Sequence, residues 1–159
     1  MTRVTKRRRA TSVKCTVIVL DAAWTKALPG VERLVRRAAR AAVAGARRAG
    51  RRSLNLALAD DKRVHALNAR DRDNDKPTNV LSYPSGERDF LGDVVLARQT
   101  VWREAKAQNK TPTDHVAHLV VHGTLHLLGY DHETGAAAAR RMEALERRIL
   151  KRLGIADPY

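Results

Sequence analysis

The alternation of apolar and polar positions divides the chain into short strands and longer helices. Thr16 to Leu20 is a β-branched run that predicts a first strand. Val31 to Ala49 repeats Val31, Leu34, Val35, Ala38, Ala42 and Val43 at helical spacing, with Pro29-Gly30 before it and Gly50 after it. Its opposite face carries Arg33, Arg36, Arg37, Arg40, Arg47 and Arg48. Ser53 to Ala59 alternates Leu54, Leu56 and Leu58 with smaller or polar residues, the pattern of a half-buried strand. Asp60 is placed to cap a short helix through Arg70, with Val64 and Leu67 inward. Asp71 to Thr78 reads as a charged loop. Asn79 to Tyr83 and Leu91 to Ala97 read as strands, and Thr100 to Gln108 as a modest helix.

Thr111-Pro112-Thr113-Asp114 then opens a helix, with Thr111 suited to the cap, Pro112 to the first turn and Asp114 to a capping-box-like return. From Val116 to Leu128 that helix is apolar nearly all round, so it is expected to be buried. A last helix runs from Ala136 to Leu153, with Ala138, Met142, Leu145 and Ile149 inward and Gly154 ending it. The order predicts an α+β fold: a small mixed sheet of about four strands packed with about five helices, its β-α-β units parallel. No internal repeat or second domain interrupts residues 15–159. Residues 1–14 are polar and basic without periodicity, and read as a disordered arm.

Composition narrows the partners. The chain has 159 residues, 31 basic against 17 acidic, and a net charge of +14. Such an excess attracts polyanions, nucleic acid first. Aromatics are only 4%, so phosphate contacts rather than a base-stacking platform would have to dominate. The arginine face of the Val31 helix is the candidate phosphate-tracking surface, against the plainer reading of a solvated face. The single cysteine, Cys15, excludes an internal disulfide and removes thiolates from any metal site. No apolar run reaches the length of a membrane span and no export signal is legible, so a cytoplasmic protein without membrane contact is expected.

The chemistry concentrates between His122 and His132. His122 and His126 are four apart and share one face of the buried helix. Gly129 lets the helix stop in a left-handed turn, so that His132 can return to the same point. Three neutral imidazoles with one open position form the ligand set of a catalytic zinc site. The spacing approaches that of zinc peptidases, which carry a glutamate general base directly after the first histidine. Here that position is Gly123, which cannot move a proton. His115 and His118 lie near the same face and read as ordinary core or surface histidines. Asp131 is placed either to orient His132 or to cap the turn.

Three blocks extend the pattern: Asp75-Lys76-Pro77-Thr78-Asn79-Val80-Leu81-Ser82-Tyr83-Pro84, Leu91-Gly92-Asp93-Val94-Val95, and His118 through His132. Together they resemble the YbeY family of bacterial rRNA maturation factors and endoribonucleases. The resemblance covers residues 15–159, and the Asp157-Pro158-Tyr159 ending is part of it. It implies a zinc-dependent, single-strand-specific endoribonuclease acting on small-subunit rRNA, especially at the 3′ end, and in ribosome quality control. It implies one Zn2+ per chain on His122, His126 and His132, with RNA and the small ribosomal subunit as partners. The family's functional arginine falls on Arg72, and Lys76 beside it is a candidate for substrate binding. The aromatic residue that usually precedes that arginine is Asp71 here. On this reading Arg72 and His122 are catalytic, Arg72 clamping the scissile phosphate with a planar guanidinium. Two other readings compete: a ribosome-binding assembly factor whose metal is structural, and a zinc peptidase.

Overall fold

The computed structural model describes residues 12–47 and 50–159. Their elements run β1 (Ser12–Val19), α1 (Ala23–Ala27), α2 (Val31–Gly45), β2 (Arg51–Ala59), α3 (Asp61–Arg72), β3 (Val80–Pro84), β4 (Phe90–Ala97), α4 (Arg98–Ala107), α5 (Pro112–Leu127) and α6 (Ala136–Arg152). The four strands form one sheet in the order β1-β2-β4-β3. β1 with β2 and β2 with β4 are parallel; β3 closes the far edge antiparallel to β4. The architecture is the expected α+β, with one helix more than expected.

The added helix is α1, a single turn too short to show a period. It is held by one residue: Trp24 is fully buried, donates its indole N–H to the Ala59 carbonyl at 2.8 Å, and meets Trp102 edge-on at 5.2 Å. Boundaries also moved. α2 ends at Gly45 and not at Ala49, so Arg47, expected on its arginine face, lies beyond the helix in the left-handed conformation (φ 54°), and Arg48 lies outside the described residues. β1 begins at Ser12, because its backbone pairs with Arg51 to Leu58 of β2 and needs no apolar side chain to do so. The expected arm therefore loses its last three residues to the sheet, and residues 1–11 lie outside the described ones. α3 continues through Arg72, two residues beyond its expected end, and stops at Asp73 in the left-handed conformation (φ 49°). This places Arg72 in the last turn of a helix and not in the loop.

The sheet is covered on both faces. Leu54, Leu56, Leu58, Val94 and Leu96 point into the larger core, built with α2, α4, α5 and α6. Ala57, Ala59, Val95 and Ala97 point the other way, against Val64 and Leu67 of α3. Alternation along each strand divides the residues between the faces, and small residues on the second face admit a single helix. α5 lies innermost. Thr111 caps it by accepting from the Asp114 amide at 3.1 Å, with Pro112 in the first turn. Val116, Val120, Val121 and Leu125 are fully buried, each contributing about 1.5–3 kcal/mol of burial relative to exposure. α5 approaches the sheet tightly at Gly123. A Cβ there would lie 2.8 Å from Val94 Cγ1 and 3.0 Å from Ser82 Oγ. The Ser82 hydroxyl instead donates to the Gly123 carbonyl at 3.0 Å, joining β3 to the helix that carries the histidines.

Candidate metal centre

α5 and the turn after it build the cluster. His122 and His126 stack one helical turn apart, with ring centroids 4.6 Å from each other. The helix ends in a Schellman motif: the Gly129 amide donates to His126 O at 3.0 Å and the Tyr130 amide to Leu125 O at 3.1 Å. Gly129 has φ 94°, a conformation that glycine adopts without a Cβ penalty. The chain then reverses, and His132 comes within 5.3 Å of His122 and 5.1 Å of His126, ring centre to ring centre. Asp131 caps this turn by accepting from the Glu133 amide at 2.8 Å. One nitrogen from each of the three rings lies within 4.8 Å of the others, and no fourth histidine, cysteine or carboxylate joins them among the described residues.

The outer nitrogens reveal what the inner ones present. His126 Nδ1 faces the Tyr130 carbonyl at 2.8 Å, and a carbonyl only accepts, so Nδ1 carries the proton. His122 Nδ1 faces Glu146 Oε1 at 2.6 Å. Glu146 is fully buried on α6. Burial pushes its carboxyl up, yet donors from His118 and His122 outweigh it and hold the group at about 2. It is thus ionised and accepts from His122 Nδ1 as well. With both rings neutral the two Nε2 atoms present lone pairs 3.0 Å apart, and a shared cation, a proton or a metal ion, relieves their repulsion. Burial, followed by the neighbouring His122 and His132, also pulls His126 below the usual imidazole range, so the ring stays neutral as a ligand must. The donor set fits a divalent ion, and a set of imidazoles is compatible with zinc.

Glu146 went unnoticed in the sequence, although its position carried a signal. It sits within the stripe Met142, Leu145, Ile149, where a carboxylate requires partners. His122, His118 at 3.0 Å and the Tyr159 hydroxyl are those partners. His118, expected to be an ordinary core or surface histidine, therefore shares its carboxylate with a cluster histidine. His115 is buried against Glu104 at 2.7 Å and belongs to a separate pair.

A cleft of about 770 Å³ opens at the cluster, and Arg72, Lys76 and Ser82 line it together with His122, His126 and His132. The end of α3 and the following loop supply one wall. Asn68, buried on α3, donates to the Lys76 carbonyl at 2.9 Å and pins that loop. Arg72 donates from Nη2 to the Ser82 carbonyl, and its guanidinium lies 5.6 Å from the centre of the Tyr83 ring. Tyr83 in turn donates its hydroxyl to Asp71 at 3.0 Å, and Asp71 is paired with Arg70 at 2.6 Å. The residue that departs from the family pattern thus holds the ring beside Arg72.

The chain was compared with known proteins. The family model described as endoribonuclease YbeY matches residues 21–154. A protein named endoribonuclease YbeY from Azorhizobium caulinodans is 50% identical over 151 residues, covering 90% of this chain and 94% of that one. Another of the same name from Rhodospirillum rubrum is 47% identical over 164 residues, covering 92% of this chain and 82% of its own. Among solved structures, the solution structure of TM1509 from Thermotoga maritima matches with a TM-score of 0.54 at 22% identity, over 92% of this chain and 97% of that one, which speaks for the fold. The chain belongs to the endoribonuclease YbeY family.

Proposed function

We propose that this protein is a zinc-dependent endoribonuclease specific for single-stranded RNA. Its role would lie in maturation of the small-subunit rRNA 3′ end and in ribosome quality control in the cytoplasm. The observation that supports this most is the cleft, which a three-histidine cluster, a helix-borne arginine and Lys76 line together. His122, His126 and His132 would hold one zinc ion. When bound, zinc supplies a Lewis acid that can polarise a phosphoryl oxygen or make a water molecule more acidic.

The chain's own residues do the rest. Glu146 keeps the proton on His122 Nδ1 and so keeps Nε2 directed inward. Arg72 uses one N–H on the Ser82 carbonyl and offers the remaining donors of its fork to a phosphate in the cleft. Lys76 adds a positive charge to the same wall. The Asn68 bond and the Tyr83 ring limit how far that wall can move.

The competing readings fare worse. A peptidase needs a carboxylate at Gly123, and the 2.8 Å and 3.0 Å approaches of Val94 and Ser82 leave no room for even a Cβ. A purely structural metal usually has four protein ligands, and three are present among the described residues.

The test is cleavage of single-stranded RNA by purified protein of measured zinc content, beside His122→Ala and Arg72→Ala. One zinc per wild-type chain, with both folded variants slowed at least about 100-fold, supports the reading. Variants that cut as fast as wild type refute it and point to an assembly factor.

A further inference from the structure

We infer that a second basic surface, built by α2 and α6 away from the histidine cleft, binds the phosphate backbone of double-stranded RNA. The inference builds on the RNA-cleaving reading and specifies the substrate further: a structured RNA held at one face while a single strand occupies the cleft. On α2, Arg33, Arg37 and Arg40 fall on one stripe, opposite the buried residues Val35, Ala38 and Ala42, and are exposed. The stripe is about 10 Å long at 1.5 Å per residue. On α6, Arg141, Arg148 and Arg152 form a second exposed stripe at spacings of seven and four. The two helices cross closely: a Cβ on Gly45 would lie 2.5 Å from Ile149 Cγ1, and Arg148 and Arg152 bracket Ile149 in sequence. Both arginine rows are thus carried by one pair of packed helices.

This face lacks counter-charge. Arg70 is matched by Asp71, Arg98 by Asp21, Arg103 by Asp61 and Arg147 by Asp157, while Arg63, Arg88 and Arg140 stand outside the rows without an acidic partner among the described residues. None of the six arginines in the two rows has an acidic partner among the described residues. α2 contains one acid, Glu32, which pairs with Arg36 at 3.7 Å; α6 contains two, Glu146, which is buried beneath it, and Glu143, whose position two residues from Arg141 puts it on another side of the helix. Unneutralised rows of guanidinium groups on rigid helices repel each other and favour an occupant carrying regularly spaced negative charge.

The face also indicates which polyanion. The exposed large hydrophobic residues among the described ones are Ile18, Leu20 and Tyr159, and neither α2 nor α6 contributes one. Nothing on the face can insert into lipid. Neither row contains an aromatic residue on which an unpaired base could stack. Recognition is left to phosphates presented in a fixed array, as an A-form duplex presents them.

The test uses a blunt RNA duplex with no single-stranded region, a short single-stranded RNA and phosphatidylserine vesicles. Binding of each is measured against salt, for wild type and for Arg33→Gln/Arg37→Gln/Arg141→Gln/Arg148→Gln, all in the His122→Ala background so that no cleavage intervenes. These arginines are exposed and cap no backbone group, so the variant is expected to fold, which its melting curve checks. The duplex affinity should fall at least about tenfold, and the slope of log affinity against log salt should decrease by about 3.6, near 0.9 for each of four lost phosphate contacts. Affinity for the short single strand should stay within about twofold of the parent. Equal duplex affinity and slope in the two proteins overturns the inference, as does loss of vesicle binding with duplex binding intact. Duplex binding lost through these substitutions, by a protein whose wild type never cuts RNA, keeps this surface and refutes the nuclease reading instead.

Discussion

At the scale of single residues, the cluster depends on which ring nitrogen holds the proton. Glu146 sets this for His122, and Tyr159 and His118 hold Glu146 in turn. Tyr159→Phe removes one donor from a buried carboxylate without removing the ring. Zinc affinity, measured by competition with a chelator, should fall about tenfold, the lower end for loss of an outer partner of a metal ligand; an unchanged affinity would show Tyr159 to be packing alone. A second residue-scale expectation concerns acid. Burial pushes the Glu104 carboxyl up, but hydrogen bonds from His115 and Asn79 prevail and leave it below the usual range. A group with a lowered folded value contributes stability that is present above its unfolded value, near 4.3, and is lost as pH falls below that. Glu104→Gln should therefore flatten the acid limb of the stability curve below about pH 4, as followed by urea unfolding across pH.

At the scale of elements, the glycine inside α5 and the glycine that follows its end act for different reasons. Gly123 is helical and needs space: any Cβ meets Val94 and Ser82. Gly123→Ala should push α5 away from β3 and β4 and cost about 1–3 kcal/mol, the range for overpacking a filled core. For a domain of this size that lowers the melting temperature by roughly 2–4 °C per kcal/mol. Gly129 has open space around it but a positive φ. Gly129→Ala should cost about 1–2 kcal/mol of backbone strain and disturb the turn that returns His132. Its signature is a loss of zinc affinity exceeding that of Gly123→Ala, which calorimetric titration of both variants would reveal. The periodicity located α5, its cap and its stop, because those are local properties of the chain. It did not locate α1, which five residues cannot specify and which the buried Trp24 anchors through its bond to Ala59 of β2. It also ended α3 early, since the last turn carries Arg70, Asp71 and Arg72, and a polar surface turn has no apolar stripe to follow.

At the scale of the whole molecule, metal, fold and charge are linked. The three histidines come from α5 and the turn beyond it, and their outer partner Glu146 from α6, so a bound ion ties the two helices together. At a free zinc concentration about a hundred times the dissociation constant, the folded state should gain about 2.7 kcal/mol. A chelator should lower the melting temperature accordingly, and His132→Ala should abolish that difference; a chelator with no effect on wild type would refute the linkage.

The histidine spacing, the glycine stop and the absence of a carboxylate at position 123 were settled along the chain, because a helix places residues four apart on one face whatever surrounds it. The charge excess was equally plain in composition. Three things waited for the tertiary structure. Glu146 lies 24 residues from His122, and only the packing of α6 on α5 brings them to 2.6 Å. Arg72 lines the same cleft as the histidines because β3 pairs with β4 and Arg72, at the end of α3, donates to the Ser82 carbonyl of β3, a long-range arrangement that no local period encodes. The reason Gly123 is glycine, finally, is the approach of Val94 and Ser82, and a sequence alone does not say which side chains will stand opposite a bare backbone.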